Sequence, residues 1–403
     1  MDKKYHIIIL LLLLLIATSL LNSPGVTDVN VWMRWMDSLE KNGLVKGYEV
    51  NRTVYPPLSN ALLFLVVQCS RFFHVSLFIA LKLSIFFFLL LTCVVFYLWT
   101  RRVALCSLLL GSLVLNSVAH AYLDIYYAPF LIYSLWALKE RKDTLFALSY
   151  TIACLIKWQP LIMAPFIMLY ILDARSFSEL TGRRIVKIMA SIGLPVLLLV
   201  SICLLVFNVE LIRSFLRGAS HTYLSGKALN ASWLLTYFLH LYAPDKFGGL
   251  VDGLVMPVKT TEIPIIIGPK LAFVFFYGWS FVLFFKSQNT FKNLLIYSVI
   301  GYLAYFTFNT SVHENHLFMA AVMALLLFFV DSSQLSLFLV IALMFNVNEY
   351  IFYGPYGKGM PFSRWIGVDI TILFSLLYII IFFVVFFQQL NVHRLQPANR
   401  EGR

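Results

Sequence analysis

Residues 75–102 read VSLFIALKLSIFFFLLLTCVVFYLWTRR. The apolar part, about 75–99, has the length a helix needs to cross roughly 30 Å of hydrocarbon at 1.5 Å per residue. It stops at Arg101 and Arg102, a pair that marks a cytoplasmic end. Comparable runs recur along the 403 residues, of which 61% are hydrophobic and only 12% charged, so a water-soluble body is excluded. The strand-length alternation of an outer-membrane barrel is absent, and backbone groups in lipid must then be satisfied inside helices. The expected fold class is all-α, as a polytopic membrane protein.

Working outward from that run, Lys3 and Lys4 place the N-terminus inside, and a first span covers about 6–22. Its basic start and apolar core resemble a signal peptide, but it is expected to stay as a span because the segment beyond it carries functional features. Further spans fall near 103–119, 123–138, 144–158, 159–173, 188–207, 264–285, 293–309, 315–331, 334–347 and 366–388, about twelve in all. The basic turn at 139–142 and the group Arg183, Arg184 and Lys187 then lie inside, as does the tail from 391. The first outer loop, 23–57, contains a short helix, and LSNALLFLVVQCSRFF at 58–73 reads as an interfacial helix. ASWLLTYFLHLY, within the long outer segment 208–263, reads the same way. With no repeated halves and no soluble domain, residues 1–403 read as one transmembrane unit.

A formal charge of +12 would suggest nucleic acid in a soluble domain. Here the cations sit in short loops, where they set topology and meet anionic head groups, so the expected partner is membrane lipid and not nucleic acid. The five cysteines, Cys69, Cys93, Cys106, Cys154 and Cys203, show no CxxC or His-paired spacing and predict neither disulfides nor a zinc site.

Function is sought in the outward loops. In TDVNVWMRWMD, residues 27–37, Trp32, Trp35, Met36 and Leu39 recur at helical spacing if Asp28 opens a helix. Such a helix would lie on the membrane with its rings at head-group level, holding the Asp28 carboxylate at its positive end. The competing reading is that Asp28 or Thr27 merely caps it. Tyr55-Pro56-Pro57-Leu58 reads as the start of the next helix. NSVAHAYLDIYY brings His120 and Asp124 to the outer surface, where Asp124 could pair with Lys157 of CLIKWQP. NTSVHENHLF packs His313, Glu314 and His316 into the entrance of an apolar helix, either as a capped turn or, more weakly, as metal ligands.

Taken in order, these residues resemble the GT-C superfamily of polyprenyl-phosphate-sugar-dependent glycosyltransferases. The nearest likeness is to the branch of dolichyl-phosphate-glucose α-glucosyltransferases that extend the lipid-linked N-glycan precursor. The shared signals are Asp28, then Trp35-Met36-Asp37, then Tyr55-Pro56-Pro57-Leu58. They continue with the His120 loop ahead of Leu135-Trp136, the Lys157–Gln159 turn ahead of Pro165, Asn230-Ala231-Ser232-Trp233, and Val312-His313-Glu314. Where the family has His-Phe-Gln-Tyr-Asn, this chain has His120-Ala121-Tyr122-Leu123-Asp124, and Trp158 separates Lys157 from Gln159.

The resemblance implies transfer of a hexose, glucose in the nearest branch, from an undecaprenyl- or dolichyl-phosphate donor to a hydroxyl of a lipid-linked glycan. Inversion would occur with Asp28 as base, and no cofactor or obligatory metal would be needed. It implies donor-phosphate binding by His313, with Lys157, Arg217 and Lys227 as helpers. Glu314, Asp124, His120, Asp37, Trp35 and Tyr55 would support the site or touch substrate. Length favours a bacterial inner membrane with a periplasmic site and an O-antigen-type acceptor. An endoplasmic reticulum setting is the alternative, in which the sequons at Asn51, Asn230 and Asn309 would be glycosylated. The rivals are a mannosyltransferase of the same superfamily, an O-antigen polymerase, which would need more than the one arginine of the late loop 347–365, and a flippase or transporter.

Overall fold

A computed structural model describes residues 3–173, 181–359, 364–365 and 367–395; the part of the expected cytoplasmic tail at 396–403 lies outside the described residues. Helices dominate, and the extended pairings among the described residues are two-residue ladders and isolated bridges. Among the described residues seven helices are long and apolar enough to cross a membrane: Lys4–Asn22, Leu77–Thr100, Gly182–Phe207, Ile263–Lys286, Phe291–Phe308, Ser332–Tyr353 and Ile370–Gln388. The protein is therefore all-α and of the multi-pass membrane type.

The remaining expected spans form shorter helices. Asp143–Ile156 has 14 residues, about 21 Å of rise, against a core of about 30 Å. The expected span at 123–138 divides into a 3₁₀ turn, Leu123–Tyr126, and a helix, Ala128–Lys139, because Pro129 sets the helix start.

Helix ends follow local chemistry. Ser76 Oγ accepts from the Ile79 N–H at 3.3 Å to open Leu77–Thr100, and Arg101 closes it in the left-handed region (φ 55°). Thr290 and Asn230 cap the helices that follow them in the same manner.

The chain groups into two compact units, taken in turn. The first comprises the described residues of Met1–Leu161, Ser176–His221 and Phe352–Gly359. In it Val29–Asn51 packs on Pro57–Phe73, and Leu77–Thr100 packs on Pro57–Phe73, Val103–Val114 and Ala128–Lys139. Lys3–Ser19 lies along Val103–Val114, and Ala128–Lys139 forms a hairpin with Asp143–Ile156. Pro57 occupies the first turn of its helix, as Tyr-Pro-Pro-Leu predicts.

The second unit comprises the described residues of Ile162–Arg175, Thr222–Ile351 and Met360–Arg403. Ile263–Lys286 and Phe291–Phe308 form a hairpin, and Phe291–Phe308 also packs on Phe318–Val330 and Ile370–Leu395. Phe291–Phe308 is mostly buried within protein, whereas few residues of Ile263–Lys286 are buried. Ala231–Tyr242, expected as an interfacial helix, is a helix whose Trp233 indole N–H donates to Thr371 Oγ1 at 2.8 Å.

The expected span 334–347 extends instead to Tyr353. The polar residues Asn348 and Glu349, which end the apolar run in the sequence, are fully buried. Asn348 Oδ1 accepts the Leu229 N–H at 2.8 Å, and its Nδ2 donates to the Glu314 carbonyl at 3.0 Å. The Asn230 sequon is not an open acceptor: Asn230 is fully buried, receives the Trp233 N–H at 2.9 Å and donates to Phe306 O at 3.0 Å.

Between two helix ends of this unit, Lys292 Nζ and Asp331 Oδ2 lie 2.6 Å apart. The Lys292 ammonium, aided by Ser333, lowers the Asp331 carboxyl from 3.8 to about 2. A carboxyl depressed by folding stabilises the fold above its ordinary value, and that contribution is lost as pH falls through its folded value. Scanned thermal unfolding in detergent should therefore show wild type losing more stability than Asp331→Asn as pH falls from 3.8 to about 2. Equal loss in both proteins would remove this role from the pair.

Candidate functional site

The segment before Asp28 is fixed by the chain it crosses. Ser23 Oγ donates to Ala119 O at 2.8 Å, and the Val26 N–H donates to His120 O at 3.1 Å. Gly25 has φ +76°, and an added Cβ would come within 2.9 Å of His120 O. On its other side Gly357 (φ +80°) approaches the Gly25 backbone so closely that no side chain fits between them. His120, expected at an outer surface, is instead fully buried: its Nε2 lies 2.7 Å from Gly354 O and its ring meets Tyr353 edge-on. One histidine thus ties the Asp28 approach to residues 352–359.

Asp28 follows in helical backbone (φ −63°, ψ −24°) and is half-buried. Its carbonyl accepts the Val31 and Trp32 N–H groups at 2.8 and 3.0 Å, but its side chain makes no capping hydrogen bond. A capping side chain normally reaches forward from extended backbone, which Asp28 lacks. The reading of Asp28 as the side-chain cap therefore fails on geometry, and the carboxylate stands at the helix's positive end.

The stripe Trp32, Trp35, Met36 and Leu39 is present but faces protein: all four are buried, Trp32 to 2%. This corrects the expectation of rings anchored among head groups. The rings close on Tyr55, with centroids at 5.4 Å for Trp32 and 5.6 Å for Trp35, both edge-on. Lys157 Nζ lies 5.2 Å from the Tyr55 ring and 2.5 Å from Asp124 Oδ1. Asp124 is also buried, to 1%, so the carboxylate expected in an outer loop is half of an internal ion pair. Aspartate, lysine and aromatic rings thus form one connected wall from Asp124 to Trp32. The indole N–H groups of Trp32 and Trp158 and the Gln159 Oε1 are buried without a hydrogen-bond partner among the described residues, an arrangement that suits polar groups of a ligand.

Arg217 is engaged within the protein. It donates from Nε and Nη2 to Thr53 O at 3.1 and 2.9 Å and pairs with the buried Glu210 carboxylate. Tyr48, whose hydroxyl burial pushes up, donates to Tyr55 O at 3.1 Å. Together they clamp the 53–55 turn and so place Tyr55. Asp37 lies exposed on Val29–Asn51 and joins none of these contacts.

In the second unit, Val312–His313 pairs in parallel with Ser225–Gly226, setting His313 opposite Gly226. A Cβ at Gly226 would enter the His313 ring, 2.6 Å from Cε1. His313 Nδ1 lies 3.9 Å from Glu314 Oε2, and the buried Glu314 opens a 3₁₀ turn. His316 Nδ1 lies 2.9 Å from the Tyr305 hydroxyl and receives the His313 N–H at 3.4 Å. Lys227, half-buried in left-handed backbone (φ 63°), directly follows Gly226. Among the described residues no three His, Cys, Asp or Glu side chains gather as metal ligands.

Several polar residues here escaped the sequence reading. Lys82, in the run that decides the fold, is 1% exposed and donates to Val118 O. Glu210 and Glu349 are buried as well. A polar residue inside an apolar run was the available signal.

No protein-family model matches the chain, and no curated protein matches it.

Breaking a buried ion pair from one side leaves a naked charge, at a cost of roughly 3–5 kcal/mol, whereas replacing both partners by apolar groups is far milder. Lys157→Met should therefore lower stability by about that much, and adding Asp124→Leu should restore more than half, as read from denaturant midpoints in detergent. Gly226→Ala should displace the His313 ring and cost about 1–3 kcal/mol, measured in the same way.

Proposed function

We propose that this protein is a membrane glycosyltransferase that moves a hexose, glucose in the first instance, from a polyprenyl-phosphate donor to a hydroxyl of a lipid-linked glycan. The observation that carries the reading is the Asp28 carboxylate. It is half-buried at a helix N-terminus, does no capping work, and adjoins a wall of Trp32, Trp35 and Tyr55. The half-buried Tyr55 ring suits contact with a sugar, backed by the buried Trp32 and Trp35, and a positioned carboxylate suits proton removal.

In this reaction the acceptor oxygen attacks the anomeric carbon as the bond from that carbon to the phosphate oxygen breaks. Asp28 takes the acceptor proton, and the polyprenyl phosphate departs with the bonding electrons. Attack opposite to departure inverts the configuration. Such a base contributes about 10²–10⁴ in rate. The leaving phosphate is weakly basic and needs electrostatic stabilisation more than a proton. His313 is assigned that duty, with Lys227 beside its strand partner Gly226 as helper. Lys157 and Arg217 have resident carboxylate partners and are assigned to positioning Tyr55. A bacterial inner membrane with a periplasmic site is the proposed setting.

The test is transfer of radiolabelled sugar from polyprenyl-phosphate-glucose, with the mannose donor in parallel, to a lipid-linked acceptor pool. Asp28→Asn should lower kcat about 10²–10⁴-fold with an unchanged unfolding midpoint. His313→Ala should lower kcat as well as raise the donor KM. Transfer by wild type from neither donor, or full activity in Asp28→Asn, would overturn the proposal.

A further inference from the structure

Residues 222–274 carry two depressions, their linings meeting in the chain at Glu262 and Ile263, that play no part in the proposed reaction. The first, about 320 Å³, is lined by Thr222, Lys246, Phe247, Lys259, Thr260 and Glu262, with Thr261 between the last two. Its frame is tied together by backbone: Leu224 N–H donates to Val258 O and Thr260 N–H to Thr222 O, both at 2.9 Å. His240 fastens a further part of the frame, with Nδ1 2.5 Å from Gly248 O and Nε2 2.9 Å from Met256 O. The second depression, about 300 Å³, begins at the next residue and runs along the Ile263–Lys286 helix over Ile263, Ile266, Ile267, Lys270, Leu271 and Val274. Its lining is apolar apart from Lys270, and Leu271 and Val274 are each 61% exposed. A polar depression ending at Glu262 is thus followed, at the next residue of the chain, by an apolar groove on a helix long enough to cross the bilayer.

Charge selects the occupant. Lys246 is neutralised by Glu262 at 2.6 Å. Lys259 lies over the Tyr223 ring at 4.7 Å, and among the described residues neither Lys259 nor Lys270 is paired with a carboxylate. A helical side chain leans toward the N-terminus, so Lys270 can snorkel up the groove toward the cavity. Length selects it further. From Ile263 to Val274 the helix rises about 16 Å, close to half of the roughly 30 Å hydrocarbon core. That is the depth of one acyl chain in one leaflet and is short for a polyprenyl tail.

We infer that this cavity and groove bind an anionic bilayer phospholipid, with its phosphate between Lys259 and Lys270, its polar head against Thr222 and Thr260, and an acyl chain along Ile263, Ile267, Leu271 and Val274. The site is independent of the glycosyl-transfer reading.

The experiment is native mass spectrometry of the full chain released from phosphatidylcholine nanodiscs doped with phosphatidylglycerol. Wild type should retain phosphatidylglycerol in preference to phosphatidylcholine. Lys259→Ala with Lys270→Ala should reduce that preference about 25-fold, at about fivefold per lysine, and the double arginine variant should keep it. Ile267→Asp should lower retention of both lipids without altering the unfolding midpoint. Equal preference in wild type and the alanine pair would overturn the inference. So would displacement of phosphatidylglycerol by inorganic phosphate alone, which would make the cavity a plain anion site, or by polyprenyl phosphate in preference to any bilayer lipid, which would make it a donor site.

Discussion

A charge inside an apolar protein has to be met where it stands, because no water is at hand to screen it. Asp124 and Lys157 satisfy that demand at 2.5 Å, and most of the first unit's candidate site is arranged around them. The pair fixes Lys157 against Tyr55, Tyr55 meets Trp32 and Trp35 edge to face, and those rings form the buried face of the helix that starts at Asp28. Glu210 and Arg217 repeat the arrangement, holding the 53–55 turn through the Thr53 carbonyl. Two internal ion pairs therefore set the geometry of a wall whose rings carry no charge.

The second constraint is backbone on backbone. Gly25 and Gly357 meet with no room for a side chain, and His120 offers its carbonyl to Val26 and its ring to Gly354. The approach to Asp28 is thus held by main-chain contacts together with the Ser23 hydroxyl and the His120 ring. This suits a proposed base whose usefulness depends on standing still, since a misplacement of about 1 Å can cost two orders of magnitude in rate. In the second unit, the pairing of Gly226 with His313 uses glycine in the same way, as the residue that leaves space for a ring.

The two short strands that set the position of His313 differ in how readily they are seen. Val312-His313-Glu314 is conspicuous because polar residues interrupt an apolar run. Its partner Ser225-Gly226 is ordinary in composition and is found only through the parallel pairing. Asn348 shows the opposite error: it reads as the end of a span, yet both ends of its amide are satisfied inside the unit and the helix continues past it.

The all-α class, the long apolar helices, the start of the helix at Asp28 and its apolar stripe were legible in the sequence, because hydropathy and 3.6-residue periodicity are local properties. The positions of His120, Asp124 and Lys157 were legible as unusual, but their burial was not, since each depends on partners from about 30 to more than 200 residues away. Whether the tryptophans of 29–51 face lipid or protein was equally undecidable from periodicity, which gives a face without saying what covers it. Only the tertiary structure decided that Tyr55 covers them, that Arg217 serves the 53–55 turn, and that the Asp28 side chain does not cap its own helix. Local chemistry sets where a helix begins; the free energy of meeting each buried polar group is settled only when distant segments pack.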